Sequence, residues 1–223
     1  MNEDDTTANN CIDEVYYNLY KYYYKYLDGQ IMKTKYCYIK LSHYDNEATI
    51  YTCLKDNNFK YIPNILFFNF EELYNIYIQE FKVDDYIDET NLYGILIEKY
   101  GQTLKNYFIN EGIINSEIIF KLLNILIEMY KIGILHNDLK LDNILIGNEG
   151  IKLIDFDKSE IMNLHKLNLI QNNDPNIYEK MISISSTHDA NFIKNCVNFI
   201  SKFKEIKKTN YLFYKIINSL NVI

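Results

Sequence analysis

Segment 134–157 constrains the fold more than any other part of the chain, because polar residues interrupt its apolar runs at fixed positions. It reads Ile-Leu-His-Asn-Asp-Leu-Lys-Leu-Asp-Asn-Ile-Leu-Ile and, after a short turn, Lys-Leu-Ile-Asp-Phe-Asp. Short apolar runs separated by polar residues and glycines are typical of strands joined by loops and tight turns. The segment therefore predicts a strand, a polar loop, a second strand, a turn at Gly147 and Gly150, and a third strand.

The polar residues of this segment are of the types that a phosphoryl-transfer site needs. His136, Asp138, Lys140 and Asn143 fall within eight residues, and Asp155 follows the third predicted strand. Such a site needs a carboxylate to orient and deprotonate a hydroxyl group, and a lysine to neutralise the migrating phosphoryl charge. It also needs amide and carboxylate oxygens to hold Mg²⁺. The alternative is a hairpin with solvated polar residues, but so many suitable residues in register favour chemistry.

The spacing resembles the catalytic loop and the metal-binding loop of the protein kinase superfamily, written H-R-D-L-K-x-x-N and D-F-G. This resemblance implies an ATP- and Mg²⁺-dependent phosphotransferase with an α+β, bilobal fold, in which a reduced β-rich N-lobe precedes a short helical C-lobe. It also implies a catalytic role for Asp138, a contact of Lys140 with the γ-phosphate, and Mg²⁺ ligation by Asn143 and Asp155. His136 would be structural.

Two upstream segments extend the resemblance towards the nucleotide. The run from Ile95 to Gly101 resembles the last strand and hinge of the small lobe, where backbone groups near Glu98 to Tyr100 would bind adenine. Lys40 and Glu47 are the candidates for the lysine that pairs with phosphate and the helix glutamate that orients it. Lys35 is a weaker competitor for the lysine. The alternative is that this lysine and glutamate are ordinary surface residues, since exposed residues of both types are common.

The order of predicted elements is strands first and helices afterwards. Residues 1–12 are polar, acidic and predicted to be disordered; residues 13–100 form the β-rich N-lobe and hinge, and residues 101–223 the helical C-lobe with both loops. The predicted strands are 36–41, 65–70 and 92–98. Short helices are predicted after Ser42 or Asp45 and over 104–110, a long helix over 116–130, and a weakly amphipathic helix over 190–204. In the helix 116–130 an apolar stripe recurs at helical spacing, Asn115 or Ser116 supplies the N-cap, and Gly133 ends the helix.

Composition excludes several functional classes. The net charge of −7 argues against a nucleic-acid partner. The chain has no run of eighteen apolar residues and no signal-like N-terminus, so we expect a cytoplasmic protein outside the membrane, in the host cytoplasm if the source is viral. The four cysteines are scattered and are predicted to be buried free thiols, with no zinc site. The chain also contains no arginine, which favours an AT-rich genome such as that of a large DNA virus, a mobile element or a protist.

The departures from the kinase pattern indicate an enzyme without the usual regulatory parts. Asn137 stands where the family has the arginine that pairs with a phosphorylated activation loop, and Asp157 stands in place of the glycine of D-F-G. No G-x-G-x-x-G loop is present, because Gly29 stands alone near the N-terminus. We therefore expect a minimal, constitutively competent phosphotransferase.

Three functions remain open from the sequence. The first is a serine/threonine protein kinase that transfers the γ-phosphate of ATP to Ser or Thr hydroxyls of a protein, and Lys140 favours it. The second is a small-molecule kinase of the choline or aminoglycoside type, whose acceptor is a small alcohol and which usually lacks that lysine. The third is a pseudokinase that acts only as a binding partner. The absent glycine loop supports this last alternative, and the retention of Asp138, Lys140, Asn143 and Asp155 opposes it.

Overall fold

The computed structural model of the protein describes residues 31–33, 37–42, 46–69, 93–112, 115–170 and 174–205. This part of the chain is a mixed α+β structure with small antiparallel sheets, which confirms the predicted class. By contacts the chain divides into two units. Unit one contains the chain up to Ala48 and the range Pro63–Lys99. Unit two contains Thr49–Ile62 and the chain from Tyr100 onward. The predicted disordered segment 1–12 lies outside the described residues.

Unit one is organised around an antiparallel sheet with the strand order β1-β2-β4-β3. Its strands are β1 (Ile31–Lys33), β2 (Cys37–Ser42), β3 (Ile65–Asn69) and β4 (Tyr93–Glu98). The inner strand β4 carries the buried residues Ile95, Leu96 and Ile97, as expected for β-branched and apolar residues between two neighbouring strands. The register places Lys40 on β2 opposite Ile95 on β4.

Helix α1 (Asn46–Asp56) follows the sheet's second strand and confirms the predicted short helix. Glu47, Ile50, Tyr51 and Leu54 are all at most 1% exposed, so the face predicted from their helical spacing is the buried face. The division between the units falls within this helix, between Ala48 and Thr49. Helix α1 therefore contributes Glu47 to unit one and its buried apolar residues to unit two.

Unit two contains the other helices of the described ranges, including the two longest. They are α2 (Leu104–Glu111), α3 (Ser116–Ile132), α4 (Leu164–Leu169), α5 (Ile177–Ile184) and α6 (Thr187–Glu205). Helix α3 packs against α5 and α6 and buries seven side chains. Its ends confirm the prediction: the Asn115 side chain accepts a hydrogen bond from the Glu117 N–H, and Gly133 ends the helix at φ +93°. None of the helices in the described ranges is long and apolar enough to cross a bilayer.

Short strands frame the predicted polar loop of unit two. They are β5 (Gln102–Thr103), β6 (Ile134–Leu135), β7 (Ile144–Gly147), β8 (Gly150–Leu153) and β9 (Glu160–Ile161). Strands β5, β7 and β8 form one sheet, and β6 pairs with β9. A 3₁₀ turn over Leu141–Asn143 leads from the loop into β7. The predicted series of strand, polar loop, strand, turn and strand is thus confirmed by β6, β7 and β8.

The cysteines differ in part from expectation. Cys53 and Cys196 are free thiols, and Cys196 is buried, as predicted. Cys37 is disulfide-bonded, so the prediction of a free thiol is wrong at this position. The position of a covalent partner is set by the fold, and scattered spacing in the sequence carries no information about it. Cys11 lies outside the described residues.

Candidate active site

The carboxylate of Asp138 is the centre of a polar cluster in unit two. Its Oδ2 accepts hydrogen bonds from Lys140 Nζ at 2.7 Å and from Asn143 Nδ2 at 3.1 Å. Its Oδ1 lies 3.3 Å from Lys158 Nζ. Asp138 is only 8% exposed, whereas both lysine side chains reach solvent. The structure thus brings together three residues that the sequence predicted and adds Lys158, which the sequence did not single out.

The electrostatics of this cluster keep both the acid and the lysine charged. Burial favours the neutral form of Asp138, but the hydrogen bonds and charges of Lys140 and Lys158 outweigh it and hold the pKa of this carboxyl below its usual range. Burial likewise opposes the charge of Lys140, yet Asp138, Asp155 and Asp142 raise the pKa of its ammonium above the ordinary value. At neutral pH the cluster is therefore an ion pair.

Asn143 joins the polar loop to the segment that contains Asp155. Its Nδ2 also donates to the backbone carbonyl of Asp138 at 3.0 Å, which fixes the orientation of the amide. The backbone carbonyl of Asn143 accepts the N–H of Ile154 at 3.1 Å. This hydrogen bond joins the residue after β8 to the residue before β7. Asp155, the next residue in the chain, is therefore close to Asn143, whose side chain contacts Asp138.

Asp155 and its neighbours are held in one defined conformation. Asp155 has φ +69°, a left-handed conformation that is uncommon for a residue with a side chain and that is frequent at functional sites. Its N–H donates to the Tyr51 hydroxyl at 3.3 Å. Phe156 is fully buried and packs edge-on against the Tyr51 ring, with 4.9 Å between ring centroids. The surrounding contacts therefore offset the local strain at Asp155.

His136 contacts the same segment through its neighbours Ile154 and Phe156. It is fully buried, its ring lies 4.7 Å from that of Phe156, and its Nε2 is 3.1 Å from the Ile154 carbonyl. Because a carbonyl oxygen only accepts, Nε2 carries the proton and Nδ1 is unprotonated. Burial lowers the pKa of His136 below its ordinary value, so the imidazole is neutral. This arrangement supports the structural role that the kinase resemblance implies for His136.

Asp189 is a second acidic residue that organises the polar loop, and sequence reasoning missed it. It is fully buried in the first turn of α6, where its N–H donates to Ser186 Oγ at 3.2 Å. Its two carboxylate oxygens accept the backbone N–H groups of Asn137 at 2.7 Å and Leu139 at 2.8 Å. These bonds brace the backbone on both sides of Asp138. The spacing of Ser186 and Asp189 is a helix-start signal, which could have located the helix but not this contact.

The segment after Asp155 is fastened to the polar loop by two further hydrogen bonds. The Asn137 side-chain amide donates to the Lys158 carbonyl at 3.2 Å. Ser159 Oγ donates to the His136 carbonyl at 2.9 Å, and Ser159 is only 4% exposed. Asn137, at φ +63°, therefore holds this segment by a neutral contact between two parts of the same chain.

In unit one the structure brings Lys40 and Glu47 together. Lys40 Nζ lies 2.8 Å from Glu47 Oε2, and the two side chains are 9% and 1% exposed. The alternative that both are ordinary surface residues is therefore wrong. Removing two charges from water costs free energy that their attraction does not always offset. Stability alone therefore does not explain why the chain has a charge pair this deeply buried.

Glu98 and Tyr100 have hydrogen-bond partners that are not members of the cluster around Asp138. The Glu98 N–H donates to the Asn64 carbonyl at 2.9 Å, and the Glu98 carboxylate accepts the Asn64 N–H at 3.2 Å. The Tyr100 hydroxyl donates to the Gly150 carbonyl at 3.1 Å, and Lys152 Nζ lies 4.2 Å from the centroid of the tyrosine ring. Both side chains thus have structural partners.

The oxygen donors present are suitable for Mg²⁺. The Asn143 amide nitrogen is fixed as a donor to Asp138, so the Asn143 side-chain carbonyl oxygen is its remaining ligand atom. Asp155 supplies a carboxylate, and Mg²⁺ is commonly held by one or two protein oxygens together with phosphate oxygens and water. No group of three or more His, Cys, Asp or Glu side chains suited to a metal occurs in the described ranges, and a Mg²⁺–nucleotide site does not require one.

No protein-family model matches the chain, and no curated protein matches it in sequence.

Proposed function

We propose that the protein is an ATP- and Mg²⁺-dependent phosphotransferase of the protein-kinase type that phosphorylates Ser or Thr hydroxyls of proteins. In this proposal unit one is the reduced N-lobe and unit two is the C-lobe of a kinase-like fold. The observation that carries it is the cluster around Asp138. A buried, ionised carboxylate has a lysine on one oxygen, and its neighbouring loop presents Asn143 and Asp155 as oxygen donors.

The low pKa of Asp138 suits this chemistry. Phosphoryl transfer passes through a loose transition state that requires positioning and charge neutralisation more than a strong base. Asp138 would accept the proton of the acceptor hydroxyl in a hydrogen bond and orient its oxygen. That oxygen forms a bond to the γ-phosphorus as the bond from phosphorus to the β–γ bridging oxygen breaks. The bond's electron pair leaves on ADP, and the hydroxyl proton passes to Asp138 and then to water.

The remaining residues have supporting roles in the proposal. Lys140 Nζ, which lies 2.7 Å from Asp138, would bring its positive charge to the transferring phosphoryl group. Asn143 and Asp155 would hold Mg²⁺, which neutralises phosphate charge when it is bound. Lys40 would contact the nucleotide phosphates, with Glu47 keeping its ammonium in place. Backbone groups between Glu98 and Tyr100 would bind adenine.

Transfer of labelled phosphate from ATP tests the proposal directly. The protein is incubated with Mg²⁺ and γ-labelled ATP, in parallel with casein or histone as protein acceptors and with choline or an aminoglycoside as small-molecule acceptors. We expect label on Ser or Thr of a protein, and we expect its loss in Asp138→Asn. The matched control is Asp56→Asn, because Asp56 is an exposed residue at the end of α1.

The outcomes separate the three functions. Label confined to the small alcohols would favour the small-molecule kinase and overturn a protein acceptor. Binding of ATP without transfer to any acceptor, unchanged by Asp138→Asn, would overturn enzymatic activity and favour the pseudokinase. Equal transfer by Asp138→Asn and the wild type would show that Asp138 has no part in the reaction.

A further inference from the structure

We propose that Lys158 selects acceptors, so that the protein prefers Ser or Thr hydroxyls with a carboxylate one or two residues away. This inference rests on the proposed function and adds the class of acceptor to it. Its basis is the placement of Lys158 beside the residue that would orient the acceptor hydroxyl.

The two lysines of the cluster approach different oxygens of Asp138. Lys140 Nζ lies 2.7 Å from Oδ2, the oxygen that also accepts from Asn143, whereas Lys158 Nζ lies 3.3 Å from Oδ1. Lys158 is also the more exposed of the two lysines, at 59% against 38%. The ammonium of Lys158 is therefore the charge that an arriving acceptor meets on the Oδ1 side.

The backbone of Lys158 is fixed, although its side chain is exposed. Its carbonyl accepts the Asn137 amide at 3.2 Å, and the next residue, Ser159, is buried and donates to the His136 carbonyl at 2.9 Å. Because the backbone is anchored, the ammonium group can change position only by rotation about the bonds of its flexible four-carbon stem. The positive charge therefore stays near Asp138, whatever acceptor is present.

Two neighbouring acidic residues are paired with other lysines. Asp142 is paired with Lys105 at 3.1 Å, and Glu160 is paired with Lys166 at 2.7 Å. Within the described ranges, Lys158 is paired with Asp138 itself. An acceptor hydroxyl that hydrogen-bonds to Asp138 competes for that carboxylate, so an acidic group on the acceptor would supply Lys158 with a new partner. A basic acceptor would instead place like charge beside two lysines.

The distances define where the acidic group must lie. Lys158 Nζ is 3.3 Å from the oxygen that would receive the hydroxyl hydrogen bond, and an ammonium–carboxylate contact adds about 3 Å. An extended chain advances about 3.3 Å per residue. The carboxylate would therefore belong to the first or second residue beside the acceptor. Lys158 takes no part in bond making or breaking and acts by binding the acceptor.

Three peptides that differ in one side chain test the inference. Each has a central Ser in an otherwise uncharged sequence, followed two residues later by Asp, Asn or Lys. The value of kcat/KM for each peptide is measured with the protein, Mg²⁺ and ATP. We expect the Asp peptide to exceed its isosteric Asn partner by about two- to fivefold, the size expected for an ion pair of a lysine that is 59% exposed. In Lys158→Met this ratio should fall to about one, and Lys158→Arg should restore it.

Two further variants complete the experiment, one that reverses the charge at position 158 and one that changes a lysine on another helix. Lys158→Glu should favour the Lys peptide, whereas Lys121→Met, on the exposed face of α3, should keep the wild-type ratio. Equal rates for the Asp and Asn peptides, or a preference that persists in Lys158→Met, would overturn the inference while leaving phosphotransfer intact. Transfer to none of the three peptides, with none to casein or histone, would overturn the proposed function and the inference with it.

Discussion

The carboxylate of Asp189 accepts a hydrogen bond from the backbone N–H of Leu139 at 2.8 Å, across 50 residues of sequence. The other oxygen of the same carboxylate accepts the N–H of Asn137 at 2.7 Å. Asp138 lies between these two anchored residues. The position of the proposed catalytic carboxylate is thus set from the first turn of α6 as well as by its own loop.

Removal of the Asp189 carboxylate should loosen this loop and destabilise unit two. Asp189→Ala leaves the buried N–H of Leu139 and the part-buried N–H of Asn137 without this acceptor, at about 1–3 kcal/mol each, so we expect a loss of about 2–6 kcal/mol in the free energy of unfolding. Asp189→Asn keeps one acceptor oxygen and should lose less. Urea denaturation measures the change, and amide hydrogen exchange reports Asn137 and Leu139 directly. Exchange at these two amides as slow as in the wild type would contradict the role of Asp189.

The neutral state of His136 should make the protein less stable in mild acid. The unfolded chain takes up a proton at His136 below about pH 6.5, its ordinary pKa, whereas burial lowers the pKa of the folded-state imidazole and keeps it neutral. The unfolded state therefore binds more protons in this range. The free energy of unfolding should fall as the pH decreases below 6.5, by up to about 1.4 kcal/mol per pH unit from this residue.

Two histidine variants isolate that contribution. His136→Gln retains a side-chain N–H that can reach the Ile154 carbonyl but removes the titrating group, so its stability should depend less on pH between 7.5 and 5.5. His165 is exposed, and His165→Gln should keep the wild-type dependence. The same slope in His136→Gln as in the wild type would show that another group is responsible. Urea midpoints at several pH values supply the measurement.

The buried pair of Lys40 and Glu47 should couple far more strongly than an exposed pair of the same length. Lys40→Met leaves the Glu47 carboxylate buried without its cation, so we expect a loss of about 3–5 kcal/mol. Glu47→Gln leaves the reverse imbalance, and the double variant should lose less than the sum of the two. In the ATP assay, Lys40→Met should also raise the apparent KM for ATP or abolish transfer.

Lys121 and Glu117 on α3 provide the matched control. Their ion pair is also 2.8 Å long, but the two side chains are 62% and 64% exposed. An exposed pair at this helical spacing contributes about 0.3–0.5 kcal/mol. A double-mutant cycle on each pair gives the two coupling energies, and equal values would contradict the importance that we assign to burial.

Gly101 and Gly112 should respond differently to the same substitution. Both have positive φ, at +49° and +64°. A Cβ at Gly101 would lie 1.9 Å from the Ile146 carbonyl oxygen, whereas a Cβ at Gly112 would have nothing within 4 Å. Gly112→Ala should therefore cost only the backbone strain, about 1 kcal/mol, and Gly101→Ala considerably more because backbone must move. Thermal unfolding of both variants tests this, and equal losses would contradict the steric argument.

Local signals explain what the sequence predicted well. Helix α3 has an apolar stripe, the Asn115 N-cap and the Gly133 stop within one short stretch, and its observed bounds agree with the prediction to within two residues. The polar loop was equally clear, because its residues are close together in the chain. Contacts within a few residues are fixed by local geometry, so patterns in the sequence reveal them.

The residues that the sequence did not reveal contact positions far away in the chain, or belong to residue types that are common on protein surfaces. Asp189 touches a loop about 50 residues earlier, and the pattern around it signals only a helix start. Helix α6 begins at Thr187, three residues before the predicted Ala190, because Ser186 precedes its first turn. Lys158 belongs to a residue type that is usually solvated, and only the fold places it beside Asp138. The disulfide at Cys37 was also missed, because the fold, and not the spacing of cysteines in the sequence, sets the position of a covalent partner.

The hydrogen bond from Asn137 to the Lys158 carbonyl is complete as soon as the chain has folded. It requires no added phosphate, so no second enzyme would have to act before this contact forms. If the proposed activity depends on this contact alone, its output would follow the number of molecules present. A cell, or a virus within it, would set the timing of such an enzyme through transcription, translation and protein half-life.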